Sequence, residues 1–253
     1  MHKVQKLLGW LGVLGAALPG LSAPAWGQAT AATDSVATAM ALAAASRSYA
    51  AARGTESLVY NGPEYVDYTV PGTRGHQYWE SAEPQLGALD YRGGHFAGVP
   101  LRYDILRDQP VLLYPGKVVG VMLPVNKVDG FALGERRFVR VEADTLNKEA
   151  LAGGFYQLLA DGPVRLLARH RKKVYQTLIG QVLTLEYRQT DELFAQDATR
   201  AVEVTSLRRL LAALPTHHAE VQHYARQHKL KFNSDARVES ATQLMRYYYT
   251  LRP

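Results

Sequence analysis

Three groups of residues in this chain are of types that carry chemistry. The first is Gly75-His76-Gln77-Tyr78-Trp79-Glu80, close in sequence to Tyr60, Tyr65, Asp67 and Tyr68. A histidine beside a carboxylate can serve as a general base, and aromatic faces can stack on a sugar or another flat ligand. His76 is therefore the candidate base of a hydrolase, with His76, Tyr78, Trp79 and Tyr65 as candidate ligand-binding residues. The plainer alternative places Tyr78 and Trp79 in the core and His76 in a turn. No nucleophile accompanies His76, because Ser57 and Ser81 lie in no nucleophile-elbow context.

The second group is the basic run Arg165, Arg169, His170, Arg171, Lys172 and Lys173. A cluster of cations could hold an anionic partner such as lipid headgroups or a surface polysaccharide. It could equally be a charged strand edge that discourages edge-to-edge aggregation. The third group, His217, His218, His223 and His228, suggests a metal site. Ligands on one helix must be three or four residues apart to share a face. No pair here has that spacing, so a solvated polar face is expected and no metal ligand is assigned. The sequence contains no Gly-rich phosphate loop, HExxH pair, GxSxG elbow or EF-hand loop. Without cysteine it has no thiol nucleophile and no thiolate ligand for zinc. No cofactor is expected.

The elements that would position these residues change along the chain. Lys3 and Lys6, the apolar run Leu7–Leu18, Pro19-Gly20 and then small residues follow the order of a secretory signal peptide. Residues 1–29 are expected to be that signal, with cleavage after Gly27-Gln28-Ala29. The apolar run is shorter than the roughly 20 residues a spanning helix needs. No lipobox cysteine is present, so export as a soluble periplasmic or secreted product is expected, with no membrane span in the mature chain. Cleavage would remove two of the 29 basic residues and none of the 23 acidic ones, leaving a net charge of +4. That mild excess and the expected export argue against nucleic acid as a partner. Without disulfides, stability must come from a core, and 47% hydrophobic content suffices for one.

Residues 30–56 are an alanine-rich leader in which Val36–Ala52 has the composition of a helix. Residues 57–204 read as an antiparallel β domain. Short apolar runs flank the turn signals Arg92-Gly93-Gly94, Pro115-Gly116-Lys117, Gly134-Glu135 and Asp161-Gly162-Pro163. The strands expected around the last turn are Phe155–Ala160 and Val164–Ala168, and Val182–Tyr187 and Ala201–Val204 follow. The 15 tyrosines suit half-buried strand faces. A meander this long curls into a barrel or folds into a sandwich. No βαβ alternation appears, which argues against a Rossmann-type sheet.

Residues 205–253 turn helical and are expected to pack on the β domain. Leu207, Leu210, Leu211 and Leu214 have helical spacing after Thr205 or Ser206 as N-cap. Thr216 and Asn233-Ser234-Asp235 are the expected caps of two further helices. Their inward residues would be Val221, Tyr224 and Ala225, then Val238, Ala241, Leu244, Met245 and Tyr248. The fold class expected is mainly β with a C-terminal helical segment, α+β overall.

Four stretches, Tyr60-Asn61-Gly62-Pro63-Glu64-Tyr65, Gly75-His76-Gln77-Tyr78-Trp79, Val99-Pro100-Leu101-Arg102-Tyr103-Asp104 and Gly154-Phe155-Tyr156-Gln157-Leu158-Leu159, resemble a group of uncharacterised exported proteins of Bacteroidota. The ending in Tyr247-Tyr248-Tyr249 is similar to theirs as well. The resemblance implies a bacterial envelope location and assigns no activity to any residue. The functional expectation is a non-catalytic envelope protein that binds a ligand or protein partner through its β domain. The alternatives are a hydrolase of envelope or extracellular polymers that uses His76, and a structural β domain that serves assembly.

Overall fold

The computed structural model of the chain describes residues 38, 40, 41, 45, 58–69, 72–143, 151–179, 182–233 and 236–251. The signal segment expected over residues 1–29 lies outside them. The chain divides into a unit of residues 1–51 and a unit of residues 52–253. In the first, Thr38, Met40, Ala41 and Ala45 are helical and exposed, where alanine content predicts a helix.

The second unit is built on one antiparallel sheet of eleven strands, with three α-helices after it among the described residues. In chain order the strands are β1 (Glu64–Tyr65), β2 (Gln85–Tyr91), β3 (Gly94–Asp104), β4 (Gln109–Leu113), β5 (Gly120–Met122) and β6 (Val128–Leu133). They continue as β7 (Arg136–Val141), β8 (Gly154–Ala160), β9 (Arg165–Ile179), β10 (Val182–Gln196) and β11 (Ala201–Glu203). Spatial order is β1-β5-β4-β3-β2-β6-β7-β8-β9-β10-β11. The chain thus runs a meander from β2 to β5 and then crosses back to add β6 on the free side of β2. The β2–β3 hairpin turns on Arg92 and Gly93, both at positive φ (52° and 74°). That two-residue geometry matches the twist of the flanking strands, and glycine takes it at no steric cost.

The sheet curls until distant strands meet. The Lys172 N–H of β9 donates to the Ile105 carbonyl just past β3, although four strands separate β3 from β9 in the sheet order. Inside the curl, Leu89, Leu101, Tyr103, Phe131, Phe138 and Phe155 form one core cluster that Trp79 joins. Each fully buried side chain of this size is worth about 1.5–3 kcal/mol in transfer from water. The three helices, α1 (Leu207–Ala213), α2 (His218–Gln227) and α3 (Arg237–Tyr248), cover the β8–β11 end. Leu210, Val221, Ala225, Ala241, Leu244 and Met245 pack there against Leu166, Ala168, Leu193 and Ala195. The mainly β, α+β reading therefore describes the fold.

Three local expectations need correction. The strand expected over Val164–Ala168 is β9, which runs straight through the basic run to Ile179, and its partner β10 extends to Gln196 rather than Tyr187. Adjacent Leu166 and Leu167 point to opposite faces, which read as poor alternation. Both faces are covered: Leu166 lies under the helices and Leu167 packs with Leu151 and Tyr156. Ser206 caps α1 by accepting from the Arg209 N–H, but the N-cap of α2 is His217, in the left-handed region and without a side-chain hydrogen bond, not Thr216. The N-cap of α3 is Ala236, without a side-chain hydrogen bond, rather than Asn233, and Ser234 and Asp235 lie outside the described residues.

Candidate functional site

The turn after β3 is fixed by two carboxylates. Asp104 is fully buried. Its Oδ1 accepts from the N–H groups of Leu106 (2.9 Å) and Arg107 (3.1 Å), and its Oδ2 accepts from the hydroxyls of Tyr65 (2.8 Å) and Tyr68 (2.5 Å). A buried carboxylate is tolerated only with such a complete set of donors. Asp108 accepts from the Tyr103 hydroxyl (2.5 Å) and the Phe155 N–H (3.3 Å). It also faces the Arg169 guanidinium at 3.6 Å.

Residues 74–79 lie across the junction between β3 and the β9–β10 pair. Arg74 exchanges backbone hydrogen bonds with Leu185 and Tyr187, and the Trp79 N–H donates to the Tyr103 carbonyl. Gln77 is fully buried; its amide donates to Asp67 (3.0 Å) and its oxygen accepts from the Thr69 hydroxyl (2.6 Å). Tyr78 is buried, donates to Asp67 (3.0 Å) and carries the Arg102 guanidinium 4.4 Å from its ring centroid. Trp79 is buried edge-on against Phe138, with the His170 ring 5.5 Å away. Tyr65 is buried beside Tyr78. Of the four aromatic and histidine candidates, only His76 and Tyr78 reach the wall of a groove of about 600 Å³, shared with Asp67, Arg102 and Lys117.

Burial, and secondly the charge of Lys172, push His76 below the usual histidine pKa. Its Nδ1 is buried and has no hydrogen-bond partner. The arrangement a general base relies on, an acid holding one ring nitrogen, is therefore not formed at Nδ1. Partial burial raises Asp67, but hydrogen bonds from Thr69, Gln77 and Tyr78 outweigh it and bring that carboxyl down to about 2.

The basic run does not form one patch, because the pleat sends alternate residues to opposite faces. Arg165 bonds Gln196 (2.9 Å). Arg169 is buried and spent on the Gly153 carbonyl (2.8 Å), the Tyr156 hydroxyl (3.1 Å) and Asp108. His170 is buried between Asp191 and Gln157, 2.8 Å from each. Lys172 turns inward, and its Nζ donates to the carbonyls of His76 and Tyr78. Arg171 and Lys173 alone remain exposed. Arg171 is 3.9 Å from Glu192, while Lys173 has no ion-pair partner among the described residues.

Two cations that sequence reading missed join them. Arg107 projects from the Asp104-braced turn over the Tyr68 ring at 3.4 Å. Arg188 stands directly across the strand pair from Lys173. No local signal points to either, since Arg188 is placed by the β9–β10 register and Arg107 by a fold-wide contact. Arg107, Asp108, Arg169, Arg171 and Lys173 line a groove of about 380 Å³. Its one carboxylate, Asp108, already accepts from Tyr103 and Phe155 and faces Arg169.

The helical histidines are occupied separately. His218 bonds the Leu214 carbonyl (2.8 Å), His217 faces Glu220 at 3.5 Å, and the His228 ring lies tilted against the Tyr224 ring with centroids 4.1 Å apart. Among the described residues, no group of three or more His, Asp or Glu side chains could hold a metal ion.

Fold and site together define a mainly β protein with a cationic groove between the β3–β4 turn and β9. No family model, curated protein or solved structure matches the chain.

Proposed function

We propose that this chain is an exported, non-catalytic protein of the cell envelope that binds an anionic ligand or partner through its β domain. The binding site in this reading is the groove of Arg107, Arg171 and Lys173. The observation that carries it is the register pairing of Lys173 with Arg188. Like charges directly opposite each other destabilise a strand pair, and an anion in the groove removes that cost. Arg188 has Glu186 at 2.9 Å, but Lys173 has no such relief among the described residues. Export rests on the order of charges, apolar run and small residues at the start of the chain.

The test is titration of the purified chain with dextran sulfate, a soluble polyanion, at two salt concentrations. Charge-assisted hydrogen bonds contribute about 1.5–3 kcal/mol each, so Lys173→Met should weaken binding about tenfold or more. Equal affinity for wild type and an Arg107→Met, Lys173→Met double variant would remove the reading. Export is tested separately: the chain recovered outside the cytoplasm should begin at Thr30.

A further inference from the structure

Past Arg171, β9 and β10 leave the sheet. The pairing of β8 with β9 ends at Ala168 and that of β10 with β11 at Phe194, while β9 and β10 pair with each other up to Ile179 and Val182. Outside the Arg74 and Ile105 contacts, the distal ribbon shows no other strand partner among the described residues. Its sequence is unusual for an exposed hairpin. From Val174 to Leu185 (VYQTLIGQVLTL) it has no charged residue. Val174, Tyr175 and Leu178 are 40%, 44% and 67% exposed. Exposed strand pairs are ordinarily blunted by charge or proline against unwanted association, and neither is present in this stretch.

The charge sits one step behind. Arg171, Lys173 and Arg188 are exposed at the base of the uncharged part, where Glu186 is the acid in the segment 171–190. Arg188 also lies over the Tyr175 ring at 4.9 Å, which holds an aromatic between the cationic and apolar zones. An apolar end, an aromatic and then a band of cations is the order of environments met on entering an anionic lipid surface from water.

We infer that the β9–β10 ribbon docks this protein on an anionic lipid bilayer, Val174, Tyr175 and Leu178 dipping among the acyl chains and Arg171, Lys173 and Arg188 meeting the headgroup phosphates. This rests on the anion-binding reading above and names its partner. Charge complementarity selects the lipid: a second copy of the ribbon would bring the same cations together. The six residues from Val174 to Ile179 reach about 20 Å at roughly 3.3 Å each, enough to cross the headgroup layer. They fall short of the 9–11 residues of a spanning strand. The unpaired strand edges keep the ribbon at the interface, because a bare backbone edge is not tolerated in the hydrocarbon centre.

The experiment is co-sedimentation of the chain with vesicles of phosphatidylglycerol and phosphatidylcholine, and with vesicles of phosphatidylcholine alone. The expected result is sedimentation with the anionic vesicles only, weakened about tenfold by Leu178→Asp and about fivefold by Lys173→Gln. Leu178 is exposed, so Leu178→Asp should unfold at the same temperature as wild type. Dextran sulfate binding without vesicle binding would overturn the lipid docking and leave the anion site standing; loss of both would remove both. Vesicle binding indifferent to Leu178→Asp, or a dimer that Leu178→Asp dissolves without any vesicle binding, would also overturn it.

Discussion

The Lys172 ammonium donates to the backbone carbonyl of Tyr78, 94 residues earlier in the chain, and to that of His76. One side chain of the basic run thus ties β9 to the segment that lies across the end of β3. Burial lowers the Lys172 pKa, with Asp104 and Asp191 acting to raise it. Lys172→Met should therefore leave two carbonyls without their donor and cost about 1–3 kcal/mol in denaturant unfolding. The exposed neighbour behaves oppositely: Lys173→Met should change stability by less than about 0.5 kcal/mol. Removing the Lys172 charge should also raise the His76 pKa, read from its ring proton shifts by NMR. An unmoved His76 titration would show that the two groups do not sense each other.

Asp104 organises the turn that presents Arg107. An asparagine keeps the size of the side chain but replaces one acceptor oxygen with an NH2 group. In Asp104→Asn that donor would meet either the Tyr65 and Tyr68 hydroxyls or the two backbone N–H groups. The expected loss is about 3 kcal/mol in chemical denaturation. Tyr68→Phe removes a half-buried donor and should cost about 1 kcal/mol.

These relationships mark where sequence reading stops. Period-two alternation at Val99, Leu101 and Tyr103 and the Arg92-Gly93 turn made the β2–β3 hairpin legible, because both signals are local. The leucine spacing of α1 and its Ser206 cap were legible for the same reason. The length of β9 was not: a continuous basic run and two adjacent leucines look like a strand ending, and only packing on both faces reverses that. The site was legible in part. Arg171 and Lys173 were in the run, but His170 and Lys172 alternate to the opposite face, and Arg169, on the face of Arg171, is consumed by Asp108, Tyr156 and the Gly153 carbonyl. Arg107 and Arg188 enter through tertiary turns and register, which no short window of sequence encodes. His76 and Tyr78 reach a groove wall, whereas Tyr65 and Trp79 are taken into the core.

Gly154 permits the close approach that anchors Arg169. It has φ +140°, and a Cβ there would stand 2.2 Å from Asp108 Oδ2 and 2.7 Å from Arg169 Nη2. Gly154→Ala should separate that pair and strain the start of β8, costing about 2–4 kcal/mol in chemical denaturation. Arg169→Met should share that penalty, so the double variant should cost less than the sum of the two single ones. Strict additivity would mean that Gly154 is held by something other than this contact.

Stability should be greatest on a plateau between about pH 6.5 and pH 10, and the sign of each limb follows from the direction of the shifts. On the acid side, His76 is lowered in the folded chain by burial and by Lys172. The unfolded chain binds that proton first, so stability falls as pH drops below about 6.5. Asp67, held down to about 2, and Asp191, lowered by His170 against its own burial, extend the loss below about pH 4. On the alkaline side, burial raises Tyr65, Tyr68, Tyr78 and Tyr103, and Tyr249 to about 12. Their unfolded forms release a proton near pH 10, so folded stability is present below that value and is lost above it. Lys172 works in the opposite sense, as one group against these tyrosines and Tyr60 and Tyr156, which burial also raises. Urea unfolding at intervals of one pH unit should trace this plateau, and His76→Gln should move the start of the acid limb downward. An acid limb that begins at the same pH in His76→Gln would assign the loss to the carboxylates alone.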